Sequence, residues 1–139
     1  MTITLSDEAR RILALFEDVT GATGRDCLVD DDRVVVLVAA GDMGEAIGPG
    51  GQHVRTFEEK LKRDVKLVED ASLVEDFVAN ALAPAAVYHV TISENGDTVA
   101  YAEVAEEDTG VAIGVDGRNI DAARRLAARH FDVDDIQLT

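Results

Sequence analysis

The sequence contains little of what membrane, secreted or disulfide-stabilised proteins need. Among its 139 residues there is one cysteine, Cys27, so no disulfide can form within the chain. No apolar run is long enough to cross a membrane, and the first six residues have neither a basic start nor an apolar signal core. We therefore expect a cytoplasmic protein with no membrane partner.

Positive charge is also scarce. The chain has 13 lysines and arginines and 28 acidic residues, which gives a net charge of -15. The only lysines are Lys60, Lys62 and Lys66. Acid excess together with few lysines favours a halophilic, acidic surface adapted to molar salt, where the Debye length falls to about 3 Å. The alternative is an acidic mesophilic protein. In either case the sequence lacks the basic footprint that is typical of nucleic-acid-binding domains.

Residues suited to catalysis or metal binding do not cluster in the sequence. His53, His89 and His130 are scattered and match no metal-binding spacing. Cys27 lies in a predicted strand, where a cysteine is more often a small core residue than a nucleophile. With no pairing of nucleophile and base visible, we predict a protein that is not an enzyme and has no metal site and no cofactor.

Hydrophobic periodicity predicts the order α-β-β-α-α-β in the first half of the chain. Ser6 is a suitable N-cap for the first helix, with Asp7 and Glu8 in its first turn. The predicted elements are a helix over 6–20, strands over 25–29 and 33–39, a short helix over 42–46, a helix with the stripe Val54, Phe57 and Leu61, and a strand over 64–68.

The same order is predicted again in the second half. Ser72 is a candidate N-cap for a helix whose apolar face begins at Leu73, and Asn95-Gly96 is a strong hairpin signal. The predicted elements are that helix, which ends near Pro84, strands over 87–92 and 98–104, a short helix, a helix lined by Ile120, Ala123, Leu126 and Ala127, and a strand over 134–138.

The chain is thus predicted to be an internal duplication, with domains over residues 1–70 and 71–139. Matching positions differ by 66, as Ile47 and Ile113 do. At this offset Asp42, Gly44, Ala46, Ile47, Gly48, Gly51 and Val54 fall on Asp108, Gly110, Ala112, Ile113, Gly114, Gly117 and Ile120.

Each half contains a Gly-x-x-Gly loop between two predicted helices, over 48–51 and over 114–117. The first backbone N–H groups of the second helix have no partner within the helix and favour an anion. Glycine also lets a ligand approach the backbone closely. The spacing fits neither a Walker loop nor a dinucleotide fingerprint. A short clamp on a sugar–phosphate backbone fits better, and a tight corner without any ligand is the alternative.

Ile-Gly-x-x-Gly-x-x-Ile/Val between helices, in the order α-β-β-α-α-β, resembles a type II KH domain. Two abutting copies, together with the segment from Asn80 to Ala85, resemble the tandem KH region of the NusA-like family in its archaeal form. The resemblance implies an α+β fold with a three-stranded sheet packed on helices in each domain. It also implies loops that clamp about four nucleotides of single-stranded nucleic acid, in a protein that modulates transcription elongation and termination.

The resemblance implies single-stranded RNA as the partner, with RNA polymerase or the transcription complex as a further candidate. The alternative is a KH-fold interaction module associated with RNA polymerase or the ribosome that does not itself bind RNA. The implied RNA-binding residues of the first domain are Ile47, Gly48, Pro49, Gly50, Gly51, Gln52, His53 and Arg55. Those of the second domain are Ile113, Gly114, Val115, Asp116, Gly117, Arg118 and Asn119.

Two departures from the KH pattern affect the loops. Neither loop has Lys or Arg at its two central positions, which are Pro49-Gly50 and Val115-Asp116. Asp116 also places a carboxylate where a phosphate is expected, and the two would repel. We therefore expect the first loop to bind RNA more strongly than the second.

Overall fold

A computed structural model describes residues 3–139, and residues 1 and 2 of the predicted first domain lie outside the described residues. The chain forms two compact units. One ends at Asp70, and the other runs from Ala71 to Thr139. Each is an α+β unit in which helices pack on a three-stranded sheet.

The first unit has the predicted order of elements. They are α1 (Asp7–Thr20), β1 (Gly24–Val29), β2 (Arg33–Val38), α2 (Met43–Ile47), α3 (Gln52–Leu61) and β3 (Asp64–Glu69). Strand β2 lies at the centre of the sheet, antiparallel to β1 and parallel to β3. The crossover between parallel strands therefore contains α2, α3 and the first glycine loop.

Local sequence signals explain how α1 begins and ends. The Ser6 hydroxyl accepts a hydrogen bond from the Ala9 N–H at 3.1 Å, as predicted for an N-cap. Gly21 ends the helix in the left-handed conformation, with φ +79°. Phe16 of α1 packs edge-on against Phe57 of α3, with ring centroids 5.3 Å apart. Both rings are fully buried, so this contact fixes α3, and with it the loop, to the core.

The second unit repeats this arrangement. Its elements are α4 (Val74–Leu82), β4 (Val87–Asn95), β5 (Asp97–Val104), α5 (Thr109–Ile113), α6 (Arg118–Phe131) and β6 (Asp135–Leu138). Strand β5 is central, antiparallel to β4 and parallel to β6. The predicted hairpin forms at Asn95-Gly96, where Gly96 has φ +89°.

Apolar residues of α4 and α6 form the centre of this unit. Phe77 of α4 contacts Phe131 of α6 edge-on, with centroids 4.8 Å apart. Leu82, Leu126 and Ile136 are fully buried. Helix α6, which follows the second glycine loop, is thereby held against both α4 and the sheet.

The prediction for the start of α4 is wrong. The helix begins at Val74, and Leu73, not Ser72, occupies the N-cap position without any side-chain cap. Leu73 has extended backbone angles, so its side chain lies outside the helical face and is 58% exposed. Strand β4 is also longer than predicted, because pairing continues to Asn95 opposite Asp97.

No helix within residues 3–139 is both long enough and apolar enough to cross a membrane.

Candidate nucleic-acid interface

The two glycine loops have the same backbone conformation. Gly48 and Gly114, the first glycines, have φ/ψ of +75°/171° and +80°/171°. Gly50 (+59°/21°) and Asp116 (+54°/26°) occupy the same left-handed region. Two different sequences, Pro49-Gly50 and Val115-Asp116, therefore form one structure, which places α3 and α6 in the same way after their loops.

The first glycine of each loop is required by close packing. A Cβ at Gly114 would lie 2.9 Å from the backbone nitrogen of Asn119. A Cβ at Gly48 would lie 2.5 Å from Cγ of His53. Because φ is also positive at both positions, any side chain would be strained there and would push the following helix away.

His53 and Asn119 occupy matching positions and brace the two loops. His53 Nδ1 donates a hydrogen bond to the Glu45 carbonyl, with a distance of 2.7 Å. Asn119 Nδ2 donates to the carbonyls of Ala112, at 3.2 Å, and Val111, at 3.4 Å. These carbonyls lie at the ends of α2 and α5, where helix geometry leaves C=O groups without partners.

This bracing places Asn119 differently from its sequence-based assignment as an RNA ligand. Its residue is only 6% exposed, and its amide points at backbone carbonyls. The structure therefore gives Asn119 a role in positioning the loop, while direct contact with RNA stays a prediction.

Asp42 and Asp108, which also match in the duplication, attach the short helices to the strands. The Asp42 carboxylate accepts a hydrogen bond from the Thr23 N–H at 2.9 Å, just before β1. The Asp108 carboxylate accepts one from the Ala86 N–H at 2.8 Å, just before β4. The glycine loops are thus held at both ends.

Most of the other predicted site residues face solvent. Val115 is 70% exposed, and Ile47 and Ile113 are each 40% exposed, which is unusual for large apolar side chains. Arg55 donates from Nη1 to the Gly50 carbonyl at 2.9 Å, so its guanidinium lies against the first loop. The exposed predicted residues are Ile47, Pro49, Gly50, Gln52, Arg55, Ile113, Val115, Asp116 and Arg118.

The apolar residues that follow the loops are less accessible. Ile120 is 7% exposed and belongs to the buried set of α6, and Val54 is half-buried. Ile120 therefore packs in the core of the second unit.

A cavity of about 730 Å³ adjoins the second loop. It extends from the loop along α6 to the end of β6. It is lined by Ile113, Asp116, Gly117, Arg118, Ile120, Asp121, Arg124, Gln137 and Leu138. Sequence reasoning missed Arg124, although its position four residues after Ile120 puts the two on one helical face.

No group of three metal-binding side chains occurs in the part of the chain that the structure describes. The Cys27 thiol is buried, and burial, with a smaller contribution from Asp26, raises its pKa to about 12. It is therefore a neutral core thiol at physiological pH.

The topology and the loops together define the class of protein. Each unit has the order α-β-β-α-α-β, a sheet with one antiparallel and one parallel pair, and a Gly-x-x-Gly turn between helices. These features are those of the KH fold. A family model described as a KH domain matches residues 10–75, and one described as a NusA-like second KH domain matches residues 74–139.

Relatives match along the whole chain. The chain is 68% identical to the "probable transcription termination protein NusA" of Halobacterium salinarum, with 100% of both chains covered. It is 34% identical to the protein of the same name in Methanococcus vannielii, covering 99% of this chain and 80% of that one. The crystal structure of APE1850 is similar with a TM-score of 0.82 and 31% identity, covering 97% of this chain and 100% of that one.

The chain belongs to the NusA-like family of proteins with two tandem KH domains. The predictions of family and fold are both confirmed.

Proposed function

We propose that the protein is a non-catalytic factor that binds single-stranded RNA through its two Gly-x-x-Gly loops and acts in transcription elongation and termination. The observation that carries this proposal is the identical backbone conformation of the two loops. Each loop leads into the N-terminus of a helix, where the helix dipole favours a phosphate. The relatives named as termination proteins support the transcriptional role.

The acidic composition limits how binding can work. With a net charge of -15 the protein attracts no RNA over long distances. In molar salt the release of counterions contributes little in any case. Affinity then rests on short-range contacts, in which Arg55 and Arg118 at the helix starts act as partners for phosphate.

A pair of glycine substitutions tests the proposal. Gly50→Asp combined with Gly117→Asp adds one carboxylate to each loop, and a Cβ at either position meets no atom within 4 Å. Asp116, the counterpart of Gly50, shows that aspartate is accommodated at that position of the loop. We expect the double variant to lose most of its affinity for short single-stranded RNA, measured by anisotropy of labelled RNA in molar potassium chloride.

The matched control adds the same two charges outside the loops. Gly41 and Gly96 also have positive φ, and a Cβ at either meets no atom within 4 Å. The variant with aspartate at both of these positions should bind as the wild type does. RNA binding that survives the loop substitutions, or wild-type protein that binds none of the RNAs, would contradict the proposal.

Asp116 favours one alternative, an interaction module for RNA polymerase or the ribosome that does not bind RNA. The carboxylate sits in the second loop where a phosphate would lie, and it is exposed. Retention of polymerase subunits or ribosomal proteins on the immobilised chain after nuclease treatment, without any RNA affinity, would favour this alternative.

A further inference from the structure

Arg124 lines the cavity beside the second loop, and its guanidinium makes three contacts with β6. Its Nε and Nη2 both donate to the Ile136 carbonyl, at 3.2 and 2.9 Å. Its Nε also lies 2.9 Å from Oδ1 of Asp135. These contacts connect α6 to β6 and fix the plane of the guanidinium.

Asp135 is itself held in place. Its Oδ1 accepts the Ile136 N–H at 2.9 Å, and its Oδ2 accepts from Gln137 Nε2 at 3.3 Å. The carboxylate therefore has little freedom to move, and the arginine that it contacts is preorganised at low entropic cost.

The contacts of Arg124 all lie on one side of its guanidinium. A guanidinium has five N–H donors. In the part of the chain that the structure describes, Arg124 makes these contacts through Nε and Nη2. The end formed by Nη1 and the second N–H of Nη2 therefore remains for a partner with two adjacent acceptors. The side chain is 43% exposed, so this end is accessible.

Three RNA groups offer two adjacent acceptors: a phosphate, the O6/N7 edge of guanine and the O2/N3 edge of cytosine. Of the two bases, guanine is the commoner partner of a bidentate arginine. The cavity favours the base. Ile113, Ile120 and Leu138 provide apolar walls. The carboxylates of Asp116 and Asp121 balance the charges of Arg118 and Arg124, so the lining has no excess positive charge to attract a phosphate. Arg124 also lies six residues beyond Arg118, about 9 Å along α6 from the loop that is expected to hold the backbone.

We propose that Arg124 recognises a guanine base of the RNA in the groove of the second KH domain. The inference rests on the proposed function, since it requires that this domain binds single-stranded RNA. A bidentate arginine–guanine contact discriminates against other bases by a factor of about 5 to 150. Arg124 is then the residue that determines specificity, and Asp135 positions it.

The first domain differs at the matching position. Glu58 stands where the offset of 66 places the counterpart of Arg124. Its carboxylate accepts the Val65 N–H at 3.1 Å. An ionised carboxylate has no proton to donate to O6 or N7. Recognition of guanine through this position is therefore a property of the second domain alone.

Modified bases test the proposal without changing the protein. The probes are labelled oligouridylates of about eight nucleotides, twice the roughly four that one loop clamps. Their central base is uracil, guanine, 7-deazaguanine, which lacks N7, or hypoxanthine, which keeps O6 and N7 but lacks the 2-amino group. We expect guanine and hypoxanthine to bind alike, and 7-deazaguanine to lose about fivefold or more.

Protein variants complete the test. Arg124→Lys keeps the charge but not the two-donor geometry, so the preference for guanine over 7-deazaguanine should disappear while binding of plain oligouridylate changes little. Glu58→Gln, the matched control in the first domain, should leave the preference intact. Tyrosine fluorescence confirms folding of Arg124→Lys, since both tyrosines lie in the second unit.

Three outcomes would overturn the inference. A wild-type protein that binds guanine and 7-deazaguanine probes equally does not read N7. An Arg124→Lys variant that loses affinity for every probe by the same factor indicates a phosphate contact instead. If the wild type binds no probe at all, the proposed function fails together with the inference, whereas equal binding of all probes leaves the proposed function standing.

Discussion

Asn119→Ala should loosen the second glycine loop by removing the amide that joins α5 to α6. Asn119 Nδ2 lies 3.2, 3.4 and 3.5 Å from the carbonyl oxygens of Ala112, Val111 and Leu82, which share its two N–H donors. Helix geometry leaves the carbonyls at the end of α5 without other helical partners. The substitution therefore leaves buried acceptors unsatisfied, because Ala112 is fully buried and Asn119 is only 6% exposed.

The expected size of the effect follows from these contacts. One of the three distances is well within hydrogen-bonding range, and the other two are long. Leaving a buried acceptor unsatisfied costs about 1–3 kcal/mol, so we expect a loss of about 2 kcal/mol in the free energy of unfolding of this domain. For a domain of this size that corresponds to a fall in Tm of about 8–16 °C.

The tyrosines provide a readout that is specific to the second domain. Tyr88 and Tyr101 are the only tyrosines, the sequence has no tryptophan, and both lie in the unit from Ala71 to Thr139. Tyrosine fluorescence during heating therefore follows that unit. Asn119→His introduces the residue found at the matching position, His53, whose ring makes the same contact in the first unit, and it should recover part of the loss. A Tm for Asn119→Ala within about 2 °C of the wild type would refute this role, because it corresponds to less than about 0.5 kcal/mol.

Three further predictions concern charge and burial. Asp116→Asn should tighten RNA binding by up to about fivefold, and Gly50→Asp should weaken it. The reason is that a carboxylate about 4 Å from a phosphate costs about 1 kcal/mol in water. RNA titrations that show no change, or changes in the opposite directions, would contradict this. Cys27, whose pKa is raised to about 12, should resist alkylation by iodoacetamide at pH 8 until urea unfolds the chain, so rapid labelling of the native protein would show that the thiol is accessible. The midpoint of urea unfolding should fall as potassium chloride is lowered from molar to millimolar. At a net charge of -15 the acidic side chains repel one another, and less salt screens this repulsion less. A midpoint independent of salt would argue against a halophilic surface.

The fold was largely predictable because its signals are local and occur twice. Ser6 as N-cap, the Asn95-Gly96 hairpin and the apolar stripe of α6 each produced the predicted element. The start of α4 was not predictable in the same way. Ser72 is a good capping residue by type, but whether it caps depends on where the chain enters the helix, and here the extended residue before the helix is Leu73.

The positions of the two loops could be predicted from the sequence, but the directions of their side chains could not. The glycine spacing and its apolar flanks identified both loops. The sequence does not show whether a polar side chain at a helix start points to solvent or back to the preceding helix. Gln52 and Arg118 are exposed, whereas Asn119 is buried. Arg124 was missed because its contacts with β6 depend on how the strand returns beside α6.

The most direct measurement of the central claim is the response of backbone amide signals to RNA, by nuclear magnetic resonance of the intact chain in molar potassium chloride. If both loops clamp the RNA backbone, addition of a short single-stranded RNA should shift the amide signals of 48–52 and 114–118 most strongly. The amides of the β4–β5 hairpin around Gly96 should change little. Shifts confined to surfaces outside the two loops, or none with any RNA offered, would contradict the account.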